Sequence, residues 1–186
     1  MLYMNDFNEV RAFGARVSVN RTSDQTKIGN FWAYDDASKL GVPPHFCNLI
    51  VRVIALQQNN SLEDNARLFA LVNYTMADAS IAAWDSKYYY NIWRPILSIR
   101  QRTTSNVVDR NWRPLGAPTN GTGDNFAPEF SSYVSGHATF GSAVFYVLRR
   151  FHDTDYISFE FQSDEYNGKI VDSITRRARP VRIRRY

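Results

Sequence analysis

From Ser61 to Arg94 the chain runs through thirty-four residues without a glycine or proline. Leu62, Ala66, Leu68, Phe69, Leu71, Val72, Met76, Ile81 and Trp84 form a broad apolar band at helical spacing. Ser61 stands where an N-cap belongs, with Asp64 three residues on. Small residues (Ala66, Ala70, Ala77, Ala79, Ala82 and Ala83) permit close helix packing. The spacing predicts one long helix that continues through Tyr88–Tyr90 towards Arg94, where Pro95 must end or kink it. A helix this apolar needs neighbours. The chain offers two more: His45 to Leu56 behind the Gly41–Pro44 breaker, and Gly136 to Phe151 behind Ser135. Phe140, Val144, Val147, Leu148 and Phe151 line one face of the latter.

The remainder is less regular. Residues 1–44 hold a short periodic stretch and then polar, turn-rich sequence. Thr103 to Glu129 reads as a long loop, a length that inside a compact domain is usually functional or disordered. Ile157, Phe159 and Phe161 alternate like a short strand. One cysteine, Cys47, precludes an internal disulfide, and three histidines (His45, His137, His152) are too few for a histidine-rich metal cage. The net charge of +4 is a terminal effect: the segment 174–186 holds six arginines and no acid, leaving 16 basic against 18 acidic groups in residues 1–173. A near-neutral body argues against a nucleic-acid partner. The N-terminal residues lack the apolar core of a secretory signal, and no run has the apolar length of a membrane span. Localisation is therefore unassigned. Four N-x-S/T triplets, beginning at Asn20, Asn59, Asn73 and Asn120, read as chance; Asn73 falls inside a helical pattern.

Two segments carry chemistry. Lys87 and Arg94 are seven residues apart, nearly two helical turns, so continued helix would point both the same way. Most such pairs are a solvated face. Here Trp84, Tyr88, Tyr89, Tyr90 and Trp93 surround them, and a Lys and Arg in an aromatic setting suit an oxyanion such as phosphate. The second segment is Ser135-Gly136-His137, opening a helix. The first N–H groups of a helix have no acceptor within it, and the helix dipole is positive there. Ser135 adds a hydroxyl, Gly136 lets the backbone come close, and His137 is placed for proton transfer. Alone, Ser-Gly-His also fits an ordinary capped helix.

Together, Lys87-x6-Arg94-Pro95 and the later Ser135-Gly136-His137 resemble the vanadium-dependent haloperoxidase and type 2 phosphatidic-acid phosphatase superfamily, in detail its chloroperoxidase branch. Trp84 before the lysine, Phe130 before the Ser-Gly-His, and the run Ser135 to Phe145 are similar to that branch. So are Phe31-Trp32, Gly41 with Pro43-Pro44, and Ala66-Arg67-Leu68. The resemblance runs from about Glu9 to the C-terminus.

It implies an all-α fold, a helical bundle of the vanadium chloroperoxidase and acid phosphatase type and incomplete here, around one oxyanion, vanadate in the haloperoxidases or phosphate in the phosphatases. Lys87, Arg94, Ser135 and Gly136 would hold its oxygens, His137 would be the acid/base, and Lys87 would also polarise peroxide. Trp84 and Phe130 would line the halide side. Hydrogen peroxide and halide are the implied substrates, or a phosphate ester in the phosphatase alternative; a non-catalytic oxyanion binder is a further alternative. Val134 stands where the family usually has proline. A third family motif, Ser-Arg followed by the His that ligates vanadium, has no counterpart here. His152 is the one later histidine and reads as exposed at a helix end. The expectation is a single partial domain over 1–186, stopping short of that motif, with 174–186 as a basic connecting tail. An incomplete bundle leaves apolar faces that favour association.

Overall fold

The structure is a computed structural model that describes residues 2–32, 42–101, 108–116 and 127–159. Among the described residues six helices occur in order: α1 (Leu2–Phe13), α2 (Ser23–Trp32), α3 (Pro43–Gln57), α4 (Leu62–Tyr90), α5 (Pro95–Arg100) and α6 (Gly136–His152). Among the described residues there is no strand, only an isolated antiparallel bridge between Ala15 and Pro114. The all-α expectation holds.

The core is the packing of α3, α4 and α6. Phe46, Ile50, Val51 and Ile54 of α3 meet Leu68, Val72 and Met76 of α4 and Phe140, Val144 and Leu148 of α6. Each set recurs at intervals of three or four residues, which keeps it on one helix face. Helices α4 and α6 run antiparallel. Gly136 at the start of α6 lies against Trp84 near the end of α4, while Arg67 near the start of α4 lies over the Phe151 ring at the end of α6. Between α3 and α4, Asn48 and Asn73 exchange two amide hydrogen bonds of 3.0 and 3.1 Å. The Asn73 side chain is thus part of the helix packing.

Local chemistry explains the boundaries. Pro43 and Pro44 occupy the first turn of α3, where their missing donors cost nothing. Ser61 Oγ accepts from Asp64 N at 3.0 Å to open α4, and Asn91 closes it in the left-handed region with φ 44°. This closure revises the sequence reading. The long helix ends at Tyr90, ahead of Pro95, and Pro95 opens α5 with Arg94 as its N-cap. Lys87 and Arg94 therefore do not share a helix. Ser135 Oγ caps α6 as expected, accepting from Ala138 N.

Helix α2 falls in the stretch read as turn-rich. Thr22 Oγ1 accepts from Gln25 N at 3.1 Å, and Gln25 Oε1 accepts from Thr22 N at 2.9 Å, a reciprocal capping box. The signal was Thr-x-x-Gln, at Thr22–Gln25.

A smaller core joins α1 to α5 through Phe7, Ile99 and Trp112. Trp112 belongs to the expected long loop, yet it is buried and its Nε1 donates to Arg11 O at 3.0 Å. Leu115 N also donates to Gly14 O at 2.8 Å. This part of the loop is a strap across the N-terminal segment. Ile157 and Phe159 are buried and flank an exposed Ser158, so the alternation is real, but no strand forms there among the described residues. Phe161 and the basic segment 174–186 lie outside the described residues. No helix among those described is long and apolar enough to cross a membrane.

Candidate oxyanion site

The buried stripe of α4 runs Leu68, Val72, Met76, Ala83 and Lys87. Lys87 stands four residues after Ala83, so the helical period that buries the apolar side chains also buries this ammonium; it is 2% exposed. A buried charge requires hydrogen bonds. Lys87 Nζ donates to Ser131 O at 2.9 Å and to Ser132 O at 3.4 Å. In return Ser131 Oγ donates to Lys87 O at 2.7 Å. The last turn of α4 is thereby stapled to residues 131–132.

Arg94 reaches the same segment by a different route. Four non-helical residues come after Tyr90, and from its cap position Arg94 Nε donates to Phe130 O at 2.6 Å. Its guanidinium lies 4.7 Å from the Phe130 ring centroid, and Lys87 Nζ lies 5.0 Å from it. Trp84 completes the group, 5.1 Å from Phe130 ring to ring and 5.5 Å from Lys87 Nζ. Two cations share one aromatic ring, and each is held by a carbonyl of the 130–132 segment.

The start of α6 closes the third side. Ser132 N donates to Ile92 O at 3.0 Å and Ser132 Oγ to Trp93 O at 3.0 Å, fixing the approach to Ser135. Ser135 Oγ accepts from Ala138 N at 3.3 Å, which leaves its proton as a donor. A Cβ on Gly136 would come 3.3 Å from Trp84 Cζ3, tighter than ordinary contact, so glycine permits the α6–Trp84 approach.

A cavity of about 740 Å³ opens between these parts. Trp84, Lys87 and Arg94 border it on one side, and Phe130, Ser135, Gly136 and His137 on the other. All seven residues singled out from the sequence face one space. Ser132, Pro95 and Trp112 also border it and were not foreseen. The Ser131–Ser132 carbonyls were missed too, because nothing in a Ser-Ser pair announces that it will receive a buried lysine.

His152 lies elsewhere, at the far end of α6. It is half-buried, not exposed as the sequence suggested, and its Nε2 is buried without a hydrogen-bond partner among the described residues. Burial lowers its pKa from the ordinary value, partly opposed by the nearby Asp64 carboxylate. Cys47 sits in the core, where burial pushes its thiol up to about 11, which suits packing and not nucleophilic chemistry. No cluster of His, Cys, Asp and Glu among the described residues is suited to a metal ion.

Fold and site together define an α-helical protein with a cation-lined, aromatic-walled cavity at a helix start. Residues 67–183 match the family model of the VCPO second helical-bundle domain, and the chain belongs to that family. It is 42% identical over 174 residues to the vanadium chloroperoxidase of Curvularia inaequalis. The match takes in 81% of this chain but 28% of that protein, so the chain spans little more than a quarter of its relative's length.

Proposed function

We propose that the 740 Å³ cavity is an oxyanion site of the vanadium haloperoxidase type. The observation that supports this most is the fixing of two cations, Lys87 and Arg94, by the carbonyls of residues 130–132 across the cavity from the start of α6. Cations already held in place lose little freedom on binding an anion.

The donor set fits vanadate. Lys87 and Arg94 bring positive charge and N–H donors, Ser135 a hydroxyl, and Gly136 the first N–H of α6, which has no acceptor within the helix. His137, in the first turn, would give or take a proton at the cavity. Trp84 and Phe130 would give the halide side an apolar wall. Bound vanadate would supply the activation of hydrogen peroxide that oxidises halide to hypohalous acid. None of these residues is the direct vanadium ligand implied by the family resemblance, a histidine following Ser-Arg, and no Ser-Arg pair occurs after His137. The 1–186 chain by itself should therefore bind oxyanion but show little halogenation.

Calorimetric titration with orthovanadate and with inorganic phosphate tests the binding. Saturable binding that weakens in Lys87→Met is expected; absence of binding by both anions overturns the oxyanion reading. Assays with peroxide plus bromide, and separately with p-nitrophenyl phosphate, address the chemistry. Phosphate-ester turnover with no halogenation would replace the haloperoxidase reading with the phosphatase one.

A further inference from the structure

The outward face of α4 is unlike a solvated helix face. Leu71, Tyr74, Asp78, Ile81, Asp85 and Tyr88 recur at steps of three, four, three, four and three, so they form one stripe. Asp78 and Asp85 stand two residues from the buried Met76 and Lys87 respectively, about half a turn round the helix, so the stripe lies opposite the core. Tyr74, Ile81 and Tyr88 are 76%, 70% and 73% exposed. A helix with one side in water normally turns charged and polar residues that way. Here four of the six positions are apolar or aromatic, and both charged ones are acids. Between Leu68 and Ser86 the helix has no basic residue. Neither Asp78 nor Asp85 is ion-paired with a described residue.

Two carboxylates set among aromatic and aliphatic side chains suit a partner that brings cations and apolar groups together. Arginine does both, because its stem covers apolar surface while its head reaches a charge. A second copy offering the same stripe does not, since it would bring acids to acids. The face is also too small for that role. Residues 71–88 span about 27 Å, and a strip of that length about 10 Å wide covers roughly 270 Å², well short of the ~800 Å² per partner of a stable dimer.

One segment of this chain has the complementary make-up. Residues 174–186, outside the described residues, hold six arginines and no acid, interleaved with Ile174, Val181, Ile183 and Tyr186. Arg176, Arg179, Arg182 and Arg185 recur at every third residue. Residues three apart on an extended chain are separated by about 10 Å, and residues seven apart on a helix, as Asp78 and Asp85 are, by about 10.5 Å. The reach is sufficient. Phe159 stacks on Phe145 of α6 with ring centroids 6.2 Å apart. The fifteen residues from there to Ile174 can extend about 50 Å, more than the ~44 Å length of α4.

We propose that segment 174–186 docks on the Leu71–Tyr88 stripe of α4 in the same chain, its arginines on Asp78 and Asp85 and its apolar side chains over Tyr74, Ile81 and Tyr88. Single exposed ion pairs are weak, but a tethered segment binds at the high effective concentration that its linker sets. The docking is independent of the oxyanion reading above.

The test is the rate of tryptic cleavage after Arg182 in the 1–186 chain, with the synthetic peptide 174–186 as the undocked reference. Cleavage several-fold slower in the chain than in the peptide is expected, and the difference should shrink at high salt, which screens exposed charges. Asp78→Asn combined with Asp85→Asn should raise the chain's rate towards that of the peptide, and so should Ile81→Ser. These side chains are exposed, so the thermal melt should not move. Asp6→Asn combined with Glu9→Gln, which removes the same charge from the exposed side of α1, should leave the rate unchanged. Cleavage as fast as in the peptide, protection that survives both changes on α4, or equal loss of protection in the α1 and α4 variants would overturn the proposal. So would protection that rises with protein concentration, which would move the segment onto another molecule.

Discussion

Helices α4 and α6 begin at opposite ends of one antiparallel pair, and both begin in the same way. A serine hydroxyl accepts from the third N–H of the helix, at Ser61 for α4 and Ser135 for α6. Beyond the cap the two helices diverge. The first turn of α4 contains Glu63 and Asp64, and Ser61 Oγ donates to Asp64 Oδ2 at 3.0 Å. The positive pole of α4 is answered by its own side chains. The first turn of α6 contains no acid, and its neighbours across the cavity are Lys87 and Arg94. One helix start is internally neutralised. The other sets its pole across a cavity from two cations held by the 130–132 carbonyls. A serine cap therefore says where a helix begins, and the charges around it say whether that beginning can hold a ligand.

The largest expected effect tests whether the two ends share one scaffold. Leu68 is fully buried in the α3–α4–α6 core, and Leu68→Ala should cost about 2–5 kcal/mol of stability in urea unfolding. If the cavity end is carried by that core, vanadate binding should fail at the denaturant concentration where the helices melt. Binding lost well before helicity would separate the two ends.

Next comes the charge difference itself. Lys87→Met keeps much of the side-chain length and removes the ammonium. Loss of one charged hydrogen-bonding partner, worth about 1.5–3 kcal/mol, predicts vanadate affinity lower by roughly ten- to a hundredfold. An unchanged dissociation constant would mean that the buried lysine serves only the 131–132 staple.

The sharpest comparison applies one change at both helix starts. Ser61→Ala and Ser135→Ala should each lower stability by about 1 kcal/mol, the usual worth of a serine cap. Ser135→Ala alone should also weaken vanadate binding. Equal binding by the two variants would erase the distinction between the ends.

The smallest effect concerns His152, beside the self-neutralised end. Its folded-state pKa lies below the unfolded value of 6.5, so the unfolded chain takes up the proton first on acidification. Its contribution is present above 6.5 and lost as pH falls through the lower, folded value. The urea midpoint should drop on acidification, and less so in His152→Phe. Vanadate affinity at a fixed pH should be the same in both proteins, because His152 does not border the cavity.

Much of the scaffold was legible in the residues. The Leu68–Val72–Met76 spacing, the Ser61 and Ser135 caps and the Pro43–Pro44 start are signals that act within a turn or two, where sequence distance and spatial distance agree. The Thr22–Gln25 box was equally local and simply went unread. The Arg94 placement is a different case. Helical continuity pointed to the right neighbour for the wrong reason, since α4 ends at a left-handed Asn91 that the run of tyrosines does not announce.

By itself, then, the sequence determined the three helices of the main core, where they start, and which side chains could serve an oxyanion. Only the tertiary structure decided that Lys87 and Arg94, on different elements, are both held by the 130–132 carbonyls, and that the 108–116 strap ties α1 to α5. The physical reason is range. Caps and stripes are fixed by backbone geometry over a few residues. The site is fixed by hydrogen bonds that join residues 36 to 45 positions apart, and these form only once the apolar faces of α3, α4 and α6 have packed.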